Sequence, residues 1–184
     1  MRRRGAVGAK GRAVGIVLMA ILGGAALLVT LGACKSPVPH LVWRKEDAPA
    51  REVNPAGAAG HVLIAARASE YKEEVVALVC EELKQDDAHV LVTGVGALAD
   101  HSADNYEAVL IINTAMAWTL DPEVQSFIDR FPDHDTIVVF TTSGDGGWLP
   151  EDTDAAYDAV SGASDMATTD EKAAELAELV RGRL

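Results

Sequence analysis

The chain of 184 residues is long enough for one domain with a sizeable core, and its formal net charge at pH 7 is −12. Residues 1–33 contain five basic residues and no acidic one, so residues 34–184 carry 11 basic and 28 acidic residues. A domain this acidic repels phosphate backbones, which argues against nucleic acid as a partner.

The chain begins with a basic leader, residues 1–12, followed by an uncharged run of 21 residues, 13–33. About 20 apolar residues are enough to span a bilayer. The core of a secretory signal peptide is shorter, so length alone favours an uncleaved transmembrane anchor. The next residues favour cleavage, because LGAC (31–34) resembles the lipobox of bacterial lipoprotein signal peptides.

The lipobox resemblance implies that residues 1–33 are a signal peptide and that Cys34 becomes the lipidated amino terminus, carrying fatty acyl chains such as palmitate. The expected location is then the cell membrane or the outer membrane of a cell envelope, with the domain outside the cytoplasm. The uncleaved anchor remains an alternative, and both hypotheses tether the domain to a membrane. Residues 34–60 are rich in Pro, Ala, Gly and charge without a sustained period, which predicts an extended tether.

From His61 onward, apolar runs typical of buried strands alternate with amphipathic helical patterns. Ser69 and Asp121 are the predicted N-caps of two helices, the second with Pro122 at its first position. The predicted strands are 61–67, 89–95, 105–114, 136–142 and a weaker 157–164, and the predicted helices are 70–85, 121–131 and 168–184.

This alternation predicts an α/β domain over residues 61–184, with a parallel sheet covered by helices on both faces. Five strands in a domain of this size suit a three-layer sandwich with the flavodoxin-like strand order 2-1-3-4-5. In such a sheet, ligands bind at the carboxyl ends of the strands.

Three segments resemble parts of the flavodoxin family. Residues 61–84 resemble the opening strand, loop and helix, residues 105–128 are similar to a later strand, loop and Pro-Glu-Val helix, and residues 136–144 resemble the fourth strand and its loop. The resemblance implies a flavodoxin-like fold, FMN as a cofactor and electron transfer as an activity.

The loop after the first strand departs from the flavodoxin pattern, which is Ser/Thr-x-Thr-Gly-x-Thr around the FMN phosphate. Residues 66–72, ARASEYK, contain no glycine and a single serine. Phosphate loops need small residues whose backbone N–H groups close on the anion. The sequence therefore predicts a domain without the standard FMN phosphate loop, unless Arg67 or Lys72 compensates.

The loops after the third and fourth strands each carry a tryptophan, and Trp118 falls where flavodoxins often stack the isoalloxazine ring. Trp118 and Trp148 either flank a planar ligand or pack locally over the sheet edge. The candidate ligand or FMN residues are Arg67, Ser69, Asn113, Thr114, Trp118, Thr141, Thr142, Ser143, Gly144, Asp145, Gly146 and Trp148.

The sequence predicts neither catalytic nor metal-ligating residues. There is no G-x-S-x-G elbow, P-loop or dinucleotide-binding fingerprint. The five histidines are scattered, and the two with acidic neighbours, at 101 and 134, lie in short turns. The favoured hypothesis is a membrane-anchored, non-catalytic module that binds an envelope protein or a small planar ligand. The alternative is an envelope electron carrier that holds FMN through Trp118, Trp148 and a non-standard phosphate loop.

Overall fold

A single twisted sheet organises the computed structural model, which describes residues 46–54, 58–150 and 156–184. The strands are β1 (Arg51–Val53), β2 (Gly60–Ala66), β3 (Ala88–Gly94), β4 (Ala108–Thr114), β5 (Ile137–Thr142) and β6 (Asp158–Gly162). The α-helices are α1 (Glu70–Glu82), α2 (Pro122–Arg130) and α3 (Thr169–Arg181), and short 3₁₀ segments cover Leu83–Gln85, Val95–Asp100, Ala103–Asn105 and Met166–Thr168.

The strand order is β1-β3-β2-β4-β5-β6, and β2 to β6 run parallel. β1 is antiparallel to β3, with Arg51 opposite Val92. The predicted number of five strands is therefore wrong, because the described residues form six. The extra strand lies inside the segment 34–60 and has only three residues, so its sequence carries no period that would reveal it. Among themselves β2 to β6 keep the order 2-1-3-4-5, which is the flavodoxin-like order.

The helices begin where the sequence predicts. Ser69 caps α1 by accepting a hydrogen bond from the backbone N–H of Lys72 at 3.3 Å. Asp121 caps α2 by accepting one from the backbone N–H of Glu123 at 3.0 Å, and Pro122 occupies the first helical turn. Both caps satisfy backbone donors that a helix start leaves unpaired, and both stand at the carboxyl ends of strands.

The core has two halves, one on each face of the sheet. On one face, Ile64, Leu110 and Phe140 pack in a cluster that also contains buried residues of α1 and α3. On the other face, the cluster of Leu63, Ile111 and Val139 includes buried residues of α2 and of Val95–Asp100. Because the central strands are covered on both sides, their sequences are continuous apolar runs, and the domain has three layers as predicted.

The leader, Cys34 and residues 35–45 of the predicted tether lie outside the described residues. Within the described ranges, no helix combines the length and hydropathy that a membrane crossing requires.

Candidate functional site

The loops that follow the carboxyl ends of β2 to β6 form what is called here the carboxyl edge. β3 lies on one side of β2 and β4 on the other, so the chain leaves β2 and β4 in different directions. In open parallel sheets the crevice for ligands opens at this switch in strand order. Its walls here are the loop 67–69 after β2 and the loop 115–121 after β4.

The side chain of Arg67 crosses this crevice and is only 7% exposed. Its Nε donates to Asp121 Oδ2 at 2.9 Å, its Nη1 donates to Asp47 Oδ1 at 2.5 Å, and its Nη2 forms an ion pair with Glu123. Burial alone would lower the pKa of Arg67, but the hydrogen bond and charge of Asp121, and then those of Asp47, raise it above its ordinary value. These four residues, the Arg67 cluster, have one positive charge against three carboxylates.

The segment Glu46–Ala48 lies across the mouth of the same crevice. The backbone N–H of Ala48 donates to Ala66 O at 3.0 Å, and that of Ala68 donates to Glu46 O at 2.7 Å. Asp47 Oδ2 also accepts from the backbone N–H of Gly96 at 3.2 Å. The sequence, which predicts an extended tether here, did not identify these contacts.

Two glycines, one at the end of β3 and one just after it, are explained by this close approach. A Cβ atom on Gly94 would lie 2.4 Å from the Cβ of Asp47, and one on Gly96 would lie 2.7 Å from its Oδ2. Real Cβ atoms do not approach so closely, so both positions require glycine while Asp47 is seated. The Gly-x-Gly pair at the end of a strand was the only sequence signal of a chain segment packed on this loop.

The residues at this crevice do not fit the phosphate of FMN. The loop 67–69 has no glycine, the hydroxyl of Ser69 accepts from the Lys72 N–H, and the Gly96 N–H is bound to Asp47. Arg67 is shared among three carboxylates, so an incoming phosphate would meet an excess of negative charge. Arg67 therefore does not compensate for the missing phosphate loop.

Lys72, the other cation near this loop, is only 5% exposed in the first turn of α1. Burial lowers its pKa, and no carboxylate among the described residues forms a salt bridge with it. The hydroxyl of neighbouring Tyr71 is buried without a hydrogen-bond partner among the described residues. Both side chains belong to the first turn of α1, and burying their polar groups lowers the stability of the fold.

The predicted ligand residues at the ends of β4 and β5 join the two strands. Asn113 is fully buried, and its Nδ2 donates to Phe140 O at 3.2 Å and to Thr141 Oγ1 at 3.0 Å. The hydroxyls of Thr114 and Thr142 lie 3.0 Å apart. Asn113 Oδ1 is buried and has no hydrogen-bond partner among the described residues.

The loop after β5 satisfies its own polar groups. Ser143 Oγ donates to Asp145 Oδ1 at 3.0 Å, and the backbone N–H of Gly147 donates to the same oxygen at 3.2 Å. The Gly147 N–H and then the Ser143 hydroxyl lower the pKa of Asp145. Gly146 has φ +74°, and a Cβ there would lie 2.6 Å from Ala163 N, whereas one on Gly144 would meet open space. Only Gly146 of these two is required by the fold.

The two tryptophans of the carboxyl edge have different surroundings. Trp148 is half-buried and packs against the core cluster under α2, as the local-packing hypothesis predicts. Trp118 is 73% exposed. A planar ligand held between two matched rings is therefore not favoured by this arrangement.

Trp118 stands on a strained turn. Met116 and Thr119 exchange two backbone hydrogen bonds of 3.0 and 3.1 Å, and the residues between them, Ala117 and Trp118, have φ of 50° and 64°. Positive φ at both central positions is the pattern of a type I′ turn, which favours Asn-Gly. For residues with a Cβ this conformation costs about 1–2 kcal/mol each. No turn motif in the sequence predicted it.

A cavity of about 310 Å³ lies beside the Arg67 cluster, between Val95–Asp100 and α2. Its lining contains none of the ligand residues predicted from the sequence and consists of Gly96, Ala99, Pro122, Glu123, Ser126, Phe127 and Arg130. The guanidinium of Arg130 is held by the carbonyl oxygens of Leu98 at 2.7 Å and Ala99 at 3.3 Å. Within the described part of the chain, no three metal-ligating side chains are grouped where they could hold an ion.

Comparison with known proteins returned no matching family model and no matching curated protein. Among solved structures, oxidised flavodoxin 2 from Bacillus cereus is similar over 67% of this chain and 99% of its own, with 16% identity and a TM-score of 0.49. A flavodoxin from Streptococcus pneumoniae is similar over 67% of this chain and 99% of its own, with 14% identity and a TM-score of 0.42. The strand order of β2 to β6 remains the basis for describing the fold as flavodoxin-like.

Replacing Arg67 by Met is expected to lower the free energy of unfolding by about 3–5 kcal/mol, because the buried ion pair between Arg67 and Asp121 would be broken. Urea denaturation measures the change.

The matched control is Lys84→Met, which removes an exposed cation paired with Glu81 and should cost less than about 1 kcal/mol. The double variant Arg67→Met/Asp121→Asn should recover part of the loss. Equal effects of Arg67→Met and Lys84→Met would contradict the buried ion pair.

Replacing Lys72 by Met is expected to stabilise the domain at pH 7, because the ammonium group is buried and forms no salt bridge with a carboxylate of the described residues. The folded pKa of Lys72 is depressed, so the wild-type domain lacks this stability at low pH and gains it as the pH rises towards the ordinary lysine pKa of about 10.4. Melting temperatures of both proteins between pH 7 and pH 10.5 should therefore converge. A wild-type protein more stable than the variant at pH 7 would indicate a buried anion beside Lys72.

Proposed function

We propose that this protein is a membrane-anchored, non-catalytic binding module whose flavodoxin-like domain does not hold FMN at the standard position. The observation that carries the proposal is the closed crevice between β2 and β4. There Arg67 is paired with carboxylates of its own chain, the backbone N–H of Gly96 donates to Asp47, and the segment Glu46–Ala48 is hydrogen-bonded across the opening. These groups are therefore not free to bind a phosphate. Without a flavin the domain lacks a redox centre, and its exposed carboxyl edge is left for recognition.

The amino-terminal leader supports the location. A basic start, an uncharged run and the LGAC sequence at 31–34 are the features expected of a lipoprotein precursor. In this proposal Cys34 carries the lipid, residues from 35 onward lead to the domain, and the domain lies outside the cytoplasm on the cell membrane or the outer membrane.

The flavin part of the proposal is tested with purified full-length protein. It should show no visible flavin absorption, and added FMN should not raise its melting temperature. A ligand present at about 100 times its Kd would stabilise the fold by about 2.7 kcal/mol, which such a titration detects. A bound flavin, or a saturable rise in melting temperature that Arg67→Met abolishes, would support the electron-carrier alternative instead.

The anchor is tested by mass spectrometry of membrane fractions from cells that express the wild type, Cys34→Ser or Cys80→Ala. Cys80 is the matched control because it is a buried free thiol inside α1. The wild type and Cys80→Ala should begin at a lipidated residue 34, whereas Cys34→Ser should retain residues 1–33 without lipid. An unmodified Cys34 in a full-length, membrane-bound wild type would establish the uncleaved anchor.

A further inference from the structure

The turn Met116–Thr119 presents an aromatic side chain to solvent at the expense of backbone strain. Ala117 and Trp118 both adopt positive φ without being glycine, and the Trp118 side chain at the tip is 73% exposed. Such strained residues persist where the surrounding structure enforces them, and they cluster at functional sites. A turn under selection for stability alone would carry Asn-Gly here.

Trp118 shares the carboxyl edge with two other exposed apolar side chains. Leu149, in the loop after β5, is 46% exposed, and Met166, in the loop after β6, is 47% exposed. β4, β5 and β6 are parallel neighbours, so the loops that follow them open on the same edge of the sheet. Trp118, Leu149 and Met166 are called the apolar rim below.

The exposed charged side chains along the described part of the carboxyl edge are acidic. In the described loops and first helical turns of the carboxyl edge they are Glu46, Asp47, Glu70, Glu73, Asp100, Glu123, Asp145, Asp165, Asp170 and Glu171. The three cations of the same segments are Arg67 and Lys72, which are both buried, and Lys172, which is partly buried and paired with Glu175. Acidic residues are common at helix starts, where they complement the helix dipole, yet any partner still meets their combined field.

This charge decides between the possible occupants of the rim. Anionic lipid head groups would be repelled by it, as would a second copy of the same acidic edge. A small molecule needs a concave site, whereas Trp118 projects from the tip of a turn and does not line the cavity beside α2. A projecting tryptophan with apolar neighbours and a charged surround is typical of an anchor in a protein interface.

We infer that the apolar rim docks a protein partner with a basic surface and a pocket that receives the Trp118 side chain. This inference rests on the proposed function as a binding module and names the class of its partner. The acidic surround attracts the basic surface over a distance, and burial of the three apolar side chains then holds the complex.

The test uses full-length protein in the membrane of its host cell, with a photoreactive amino acid in place of Ser164, which is exposed close to Met166 without belonging to the rim. Irradiation should give an adduct with a protein whose cross-linked surface is rich in Lys and Arg. The same amino acid at Gln85, exposed at the opposite edge of the sheet, is the matched control and should not give that adduct.

The decisive variant is Trp118→Gly, because glycine adopts positive φ without a steric cost. Its melting temperature should be equal to or above that of the wild type, while affinity for the purified partner should fall by at least about tenfold. Added salt should weaken the wild-type complex because the charged groups are exposed. A merely structural tryptophan would not give opposite effects on stability and binding.

Several results would overturn the inference: no adduct at position 164, an adduct with lipid or with a second copy, or a protein adduct that Trp118→Gly leaves unchanged. If these occur in protein that contains no flavin, the rim is wrong and the binding module stands. If the purified protein contains FMN, the proposed function itself fails, whatever the cross-linking shows.

Discussion

The guanidinium of Arg67 is the point at which three parts of the chain meet. Arg67 follows β2, Asp47 belongs to the segment before β1, and Asp121 and Glu123 lie at the start of α2. A charge that is nearly fully buried must be paired, and Asp121 is the buried partner of Arg67, whereas Asp47 and Glu123 reach it from nearer the surface. The positions of the segment Glu46–Ala48, the crevice and α2 all depend on this requirement.

Because Arg67 is neutralised from within the chain, the carboxyl edge is divided into two regions. Near β2 the crevice is closed by Glu46–Ala48, and the small residues Gly94 and Gly96 allow that segment to lie close. Near β4, β5 and β6 the loops expose Trp118, Leu149 and Met166. In this fold, small molecules commonly bind at the crevice of the first region. In this protein, the exposed apolar side chains lie in the second region.

Local sequence was enough to predict the regular elements of this fold. The runs that form β2, β4 and β5 are continuously apolar because both faces of these strands are buried, and Ser69 and Asp121 mark helix starts because capping is a local interaction. β1 escaped prediction because it is a three-residue strand defined by pairing with β3, about 40 residues further along the chain.

The candidate site was predicted only in part, because most of its contacts join residues that are far apart in the chain. The missing phosphate loop was visible in the composition of residues 66–72, and the place of Trp118 on a loop after a strand was expected, but its exposure was not. The contacts of Asp47 with Arg67 and Gly96, and of Asn113 with Thr141, join residues that are 20, 49 and 28 positions apart. No local pattern records such contacts.

By itself, then, the sequence determined the class of the fold, the acidic character of the domain and the absence of a standard phosphate loop, since periodicity, charge and the lack of glycine are local properties. Only the tertiary structure decided that Asp47 fills the crevice, that Trp148 packs inward and that Trp118 projects on a strained turn. These three features depend on which distant segments are brought together when both faces of the sheet are covered. The contacts that stabilise them join residues far apart in the chain.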